Sequence, residues 1–349
     1  MLAAACYSPT FPTGAPCDAE HPCPSALVCT SAGTCEYTEI DGKPAAIDAV
    51  VDDTPPDACV PATEVCDDGI DQDCNGSDRS CATNDKAANA VDVSAGGTFA
   101  GDLSMATDDL GEPGCGGGGG VEVFYKVTLP AAEVIYLDTF GSTADTTVRV
   151  FPGVACTAIG NIPLPVCNDD ACNEPQSQVA LSLPTGTSCI VVDGASVVPS
   201  AAALTLKVIR GGRNGQPLGD GARTLTGDTC VATDVWRATC AAEGAKDVAW
   251  FLTSCPGQIR SLDATTCTDS GNTDFDTILY VRRPGSTGAE ITCHDDDGVC
   301  AARPERLDHP DLSAFSDLAL SGSSLYWLVL DGYEGAATCG GYQLDTNLD

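Results

Sequence analysis

From Asn84 to Asp349 the sequence runs in short stretches of alternating β-branched or aromatic and polar residues, and Gly, Pro, Asn and Asp separate the stretches. A period of two punctuated by turn formers is the pattern of half-buried strands joined by tight connections. A helical period is not found. The segment therefore predicts β-structure only.

The strand pattern occurs twice. Ala106-Thr107-Asp108 is answered by Ala232-Thr233-Asp234, Cys115 by Cys240, Glu122-Val123-Phe124-Tyr125 by Asp247-Val248-Ala249-Trp250, and Leu137-Asp138 by Leu262-Asp263. Further on, Asp145-Thr146-Thr147-Val148 is answered by Asp276-Thr277-Ile278-Leu279. Cys167-Asn168-Asp169-Asp170 is answered by Cys293-His294-Asp295-Asp296, and Ile190-Val191-Val192-Asp193-Gly194 by Leu328-Val329-Leu330-Asp331-Gly332. An internal repeat of this length, with eight or so strands per unit, predicts two sandwiches or barrels in tandem. The boundary falls at Gly211-Gly212-Arg213-Asn214-Gly215, giving repeats at 84–212 and 213–349.

Four shorter segments precede them. Residues 1–16 are a Pro-containing leader. In 17–36, Cys17, Cys23, Cys29 and Cys35 recur with five residues between neighbours, which predicts a mini-module held by two disulfides, because so few residues cannot bury a core. Residues 37–58 lack a hydrophobic period, carry Asp52, Asp53, Pro55, Pro56 and Asp57, and read as an extended acidic linker. A second quartet, Cys59, Cys66, Cys74 and Cys81, encloses an acidic run in 59–82.

Composition changes the picture in two ways. The 349 residues carry 16 basic and 50 acidic side chains, and a formal charge of −34 would repel phosphate backbones and anionic headgroups, which excludes nucleic acid as a partner. The 21 cysteines indicate an oxidising compartment, since cytosolic reductants would keep so many thiols free. Besides the two quartets, Cys115, Cys156, Cys167, Cys172, Cys189, Cys230, Cys240, Cys255, Cys267, Cys293, Cys300 and Cys339 are expected in disulfides, with pairing left open. One cysteine is odd. Leu2-Ala3-Ala4-Ala5-Cys6 resembles the end of a bacterial lipoprotein signal peptide, which implies lipidation at Cys6 and a place at the outer-membrane surface of a Gram-negative cell or outside it. An unpaired cysteine in a leader is the alternative. Lacking an apolar stretch of roughly 18 residues, the chain would reach a membrane only through such an anchor.

The densest candidate chemistry is Glu64-Val65-Cys66-Asp67-Asp68-Gly69-Ile70-Asp71-Gln72-Asp73-Cys74-Asn75-Gly76-Ser77-Asp78. Asp71, Asp73 and Asn75 alternate as oxygen donors before Gly76, as in the first half of an EF-hand-style loop, and Glu64, Asp67 or Asp78 would complete the shell in place of the missing position-12 glutamate. An all-oxygen set suits calcium, whereas copper prefers imidazole or sulfur. The stretch resembles the metal-binding motif of MopE-type bacterial surface proteins, in which Glu-x-Cys-Asp-x-x-x-Asp-x-Asp-Cys recurs. The competing reading is that the acids only solvate a disulfide knot. A second pair of candidate metal loops is Asn168-Asp169-Asp170 and His294-Asp295-Asp296, against Asx-type turns as the plainer reading. No organic cofactor is indicated.

The repeats resemble the bacterial pre-peptidase C-terminal domain, through Asp145-Thr146 and Asp276-Thr277 opening apolar strands, the Asp-Asp loops, and strands ending Val-Asp-Gly or Leu-Asp-Gly. The resemblance implies two tandem jelly-roll-like β-sandwiches, preceded by small disulfide-rich modules, in a secreted or surface-attached protein. The expected function is calcium-dependent binding or adhesion without catalysis, toward a polysaccharide, a matrix or a surface protein. A purely structural spacer is the alternative. A hydrolase accessory or an enzyme is a third reading, and it would need a carboxylate pair such as Asp138 with Asp145, or Asp263 with Asp276.

Overall fold

The computed structural model describes residues 17, 23, 28–29, 31–36, 61–62, 64–110, 115, 120–160, 166–194, 202–268, 273–284, 290–296, 311–322, 324–335 and 337–349. The leader with Cys6, the acidic linker, Cys59 and Cys300 lie outside them. The chain divides into two compact units, Met1–Pro61 and Ala62–Asp349. In the first, disulfides Cys17–Cys29 and Cys23–Cys35 close on a two-residue ladder of β1 (Val28–Cys29) with β2 (Cys35–Glu36). A ladder of that length has no stability of its own, so the cross-links set the shape.

The second unit holds two β-sandwiches of nine strands each. The first comprises β3 (Val91–Asp92), β4 (Gly97–Asp102), β5 (Glu122–Leu129), β6 (Glu133–Asp138), β7 (Thr146–Phe151), β8 (Val166–Asn168), β9 (Gln178–Leu183), β10 (Gly186–Gly194) and β11 (Ala203–Arg210). The second comprises β12 (Gln216–Pro217), β13 (Gly221–Asp228), β14 (Val248–Ser254), β15 (Ile259–Thr265), β16 (Thr277–Arg282), β17 (Glu290–Asp295), β18 (Ala314–Ser321), β19 (Ser324–Gly332) and β20 (Gly341–Leu348). Among the described residues the only helical turns are short 3-10 segments. Two of these are capped alike by an aspartate at the end of the second strand of each sandwich: Asp102 accepts from the Ser104 N–H and Asp228 from the Cys230 N–H.

The repeat is matched strand for strand. The sheets run β3-β5-β10-β7-β8 and β4-β11-β6-β9 in the first sandwich, and β12-β14-β19-β16-β17 and β13-β20-β15-β18 in the second, so each strand of the first finds its counterpart nine places later. Alternation along the strands places Val123, Tyr125, Ile135, Leu137, Val148, Ile190 and Val192 between the first pair of sheets, and Trp250, Leu252, Leu262, Leu279, Tyr326, Leu328 and Leu344 between the second.

A third apolar layer joins the sandwiches face to face. Val134 and Tyr136 leave β6 opposite Ile135 and Leu137, and pack with Phe251, Ile278, Tyr280, Leu325, Trp327 and Val329 from the five-stranded sheet of the second sandwich. This explains why Leu325 to Leu330 is continuously apolar: β19 is covered on both faces and has no solvent side on which to alternate. Trp327 anchors the layer. Its Nε1 donates to Gly211 O at 3.0 Å, its ring meets Trp236 edge-on at 5.4 Å, and the connecting segment runs so close that a Cβ at Gly211 would lie 2.7 Å from Val134 O. Gln178 Nε2 donates to Ser254 O, and disulfide Cys172–Cys255 staples the two sandwiches covalently.

Candidate metal centres

Three groups of carboxylates converge so that one oxygen from each member lies within 4.8 Å of the others: Glu64, Asp71 and Asp73; Asp145, Asp169 and Asp170; and Asp276, Asp295 and Asp296.

In the first group the loop bends through Asp67, Gly69, Cys74 and Gly76, all at positive φ, and disulfide Cys66–Cys81 closes it. Cys74 is disulfide-bonded as well. Only half of the six expected ligands converge. Asp67 Oδ2 accepts from the Cys81 N–H, Asp78 Oδ2 from the Gly69 N–H, and Asn75 Oδ1 from the Ser77 N–H and hydroxyl. The convergent acids are themselves held by the loop's amides: Asp71 accepts from the N–H groups of Asn75 and Gly76, Asp73 from Asn75, and Glu64 from Asp73 and Arg79. These Asx-type turns preform the loop whether or not a cation is bound. Asp78 Oδ1 is buried without a partner.

The other two groups occupy equivalent places in the two sandwiches. In each, the hairpin β7-β8 or β16-β17 brings the Asp-Asp pair back beside the aspartate that opens its first strand. Asp145 and Asp276 are thus the members that spacing alone left out, although both stand in the Asp-Thr landmarks of the repeat. Asn168 and His294, grouped with the loops from sequence, stand aside. Asn168 bonds Asp170 O and the Gln178 N–H, while His294 Nε2 pairs with the Thr292 hydroxyl and its ring lies 5.4 Å from Phe315.

Electrostatics separate these two groups from an ordinary solvated turn. Asp276 is pushed up to about 7, first by burial and then by Asp295, Asp311, Asp296 and Glu334. Burial followed by neighbouring carboxylates raises Asp295 and Asp145 in the same sense. Asp276 Oδ1 and Asp295 Oδ1 are both buried without a hydrogen-bond partner. Buried anionic oxygens are stable only with a proton or a cation to offset them.

Disulfides brace the loops identically. Cys115–Cys167 and Cys240–Cys293 are equivalent bridges, each tying the strand that leads into an Asp-Asp loop to the segment before the first central strand.

Next to each triad runs a buried acidic row. Asp193 on β10 lies between Glu122 on β5 and Thr147 on β7, and the Thr147 hydroxyl donates to Asp169. In the second sandwich Asp331 stands beside Asp247 and Ile278. Arg149 pairs with Asp193, and Arg213 with Asp247. One arginine does not neutralise two carboxylates. Burial, with neighbouring acids next, pushes Glu122 and Asp331 up to about 8, and burial lifts Asp193 to about 7 against the opposing pull of Arg149.

No family model matches the sequence, and neither does any curated protein. Among solved structures, the pre-peptidase C-terminal domain of a collagenase from Bacillus anthracis aligns over 34% of this chain and 94% of its own, at 12% identity and TM-score 0.23. A triple jelly-roll protein of an archaeal virus turret aligns over 72% of this chain and 59% of its own, at 11% identity and TM-score 0.21. The CUB1-EGF-CUB2 domains of rat MASP-1 align over 72% and 97%, at 10% identity and TM-score 0.17.

Proposed function

We propose that the chain is a non-catalytic binding protein of the cell surface or extracellular space, with loops set by calcium, and that it presents its sandwich faces to a polysaccharide, matrix or surface-protein partner. The observation that carries the calcium reading is the repeat-related pair of aspartate triads, in one of which two oxygens are buried without partners. An all-carboxylate donor set with His294 turned away favours a hard, oxygen-seeking cation over copper or zinc. Eight disulfides among the described residues agree with an oxidising compartment, and no described helix is long and apolar enough to cross a membrane. Attachment by a lipid on Cys6 to a Gram-negative outer membrane belongs to this reading on the strength of the sequence Leu2 to Cys6.

The non-catalytic part draws support from the surroundings of one expected pair, Asp138 and Asp145. Asp138 is met by Lys207 at 3.8 Å while Asp145 joins Asp169 and Asp170, so the two acids serve different surroundings. The structural-spacer reading also keeps a foothold, because Glu64 and Asp71 of the 64–78 loop already accept from backbone amides.

Melting the non-reduced protein with about 10 mM calcium and with chelator tests the proposal. With sites of about 0.1 to 1 mM affinity, each should add about 1.4 to 2.7 kcal/mol, and Asp276→Asn should remove one site's share. Identical melts in calcium and chelator would leave a disulfide-held spacer.

A further inference from the structure

Two asparagines among the described residues are followed directly by glycine: Asn75-Gly76 in the acidic loop and Asn214-Gly215 in the connector between the sandwiches. Glycine has no side chain to shield its amide nitrogen, so that nitrogen can reach the carboxamide carbon of the asparagine before it. Ring closure expels ammonia and leaves a succinimide. By sequence the two pairs are alike, but the fold treats them in opposite ways.

In the acidic loop both reacting groups are held. The Gly76 N–H donates to Asp71 Oδ2 at 2.7 Å, the Asn75 carboxamide donates to Asp73 Oδ2 at 2.8 Å, and its Oδ1 accepts from the Ser77 N–H and hydroxyl. A nitrogen must give up its proton to attack, and a carboxylate bonded to that N–H opposes the negative charge this creates. The connector is arranged the other way. The Gly215 N–H donates at 3.0 Å to Oδ1 of Asn214 itself, which folds an exposed carboxamide back toward the nitrogen that attacks it. An oxygen held there brings the carbon bonded to it close to the near-attack separation of about 3 to 3.5 Å. Loss of the Gly215 proton spreads charge onto the main-chain oxygen of Asn214, and Arg213 Nε donates to that oxygen at 3.4 Å. A guanidinium aimed at the atom where charge develops lowers the barrier.

We propose that Asn214 is a site of spontaneous deamidation and isoaspartate formation in the folded protein, and that Asn75 is protected. The Gly215 nitrogen passes its proton to water, bonds to Asn214 Cγ and displaces Nδ2, which leaves as ammonia. Water then opens the succinimide at either carbonyl. Attack at the main-chain carbonyl gives isoaspartate, with the side-chain carbons carried into the main chain, and attack at the other gives aspartate. Isoaspartate lengthens the connector where there is no room. A Cβ at Gly215 would lie 3.2 Å from Ala249 O and run into the Trp327 ring, and Gly215 O is held by the Ser182 hydroxyl at 2.8 Å. The product therefore pushes on the residue that anchors the joint. Only water is consumed, so this proposal and the calcium reading stand or fall independently.

The test is timed incubation of the full, non-reduced chain in mildly alkaline buffer with chelator present, followed by peptide mapping with fragmentation that separates isoaspartate from aspartate. The reduced chain in guanidinium gives the rate of each pair without the fold. The two asparagines should convert at similar rates there, whereas in the native chain Asn214 should convert at least about tenfold faster than Asn75. The aged native sample should melt lower than a fresh one. Asn214→Gln, whose extra methylene disfavours the five-membered ring, should hold its melting temperature over the same period; the side chain is exposed, so the variant folds. Equal native rates, or an Asn214 that stays intact while Asn75 converts, would overturn the proposal. Isoaspartate at residue 214 without a lower melt would overturn the link to Trp327.

Discussion

Replacing Glu122 by Gln tests whether the acidic row is held together by protons. Glu122 is fully buried, accepts from the Asp109 N–H through Oε1 at 2.8 Å, has no partner for Oε2, and lies across the ladder from Asp193. Its carboxyl is raised from 4.5 to about 8, so the folded state holds a proton that the unfolded chain releases well below neutrality. For a raised carboxyl the sign is fixed. Its stabilisation is fully present below about pH 4 and drains away as the pH climbs through about 8, at no more than about 1.4 kcal/mol per pH unit, for at most about 5 kcal/mol in all. Asp193 and Asp331 add to the same trend, since they sit at about 7 and 8. Guanidinium unfolding of the non-reduced protein from pH 5 to 9, with chelator present, should show stability falling steadily. Glu122→Gln retains the acceptor for Asp109 and removes one titration, so its curve should be flatter and should cross above the wild type near pH 8. A wild-type curve flat over this range, or a variant that runs parallel to it, would refute the proton-held row.

Two further predictions concern the joint between the sandwiches. Trp327→Ala should cost about 3 to 5 kcal/mol, as large core truncations do, whereas Trp327→Phe gives up chiefly the bond to Gly211 O and should cost about 1 to 2 kcal/mol; chemical denaturation would distinguish them, and equal small losses would show that the interface is not a true core. Removing the Cys172–Cys255 bridge with a double serine variant opens a loop of 83 residues, worth up to about 4.5 kcal/mol by loop entropy, and should lower the melting temperature while leaving the Cys115–Cys167 and Cys240–Cys293 bridges intact by peptide mapping.

The strands, the sandwich class and the repeat could be read from the chain because each is a local property: alternation, turn residues and landmarks in fixed order. The recurrence of Cys115 and Cys240, and of Cys167 and Cys293, even marked the cysteines that prove to be equivalent bridges, although pairing itself depends on which loops meet in space. The triads were only half legible. Asp169, Asp170, Asp295 and Asp296 are adjacent in sequence and drew attention, while Asp145 and Asp276 lie about twenty residues upstream and join them only when a hairpin closes. In the 64–78 loop the alternating acids were visible, yet spacing could not show that Asp67, Asn75 and Asp78 would be taken up by amides and hydroxyls of the same loop. The apolar joint was hidden for a different reason. A run such as Leu325 to Leu330 reports burial on two faces but does not name what covers the second.

What covers a face also explains where the two repeats diverge. Val134, Tyr136 and Lys207 sit on the sheet that the second sandwich buries, and their counterparts by strand register are Ser261, Asp263 and Asp345. Ser261 and Asp263 are polar and only partly buried where Val134 and Tyr136 are wholly buried, so the apolar cover ends with the second sandwich. In stacked repeats a terminal unit usually turns polar to stay soluble, and charged side chains of both signs would serve that purpose.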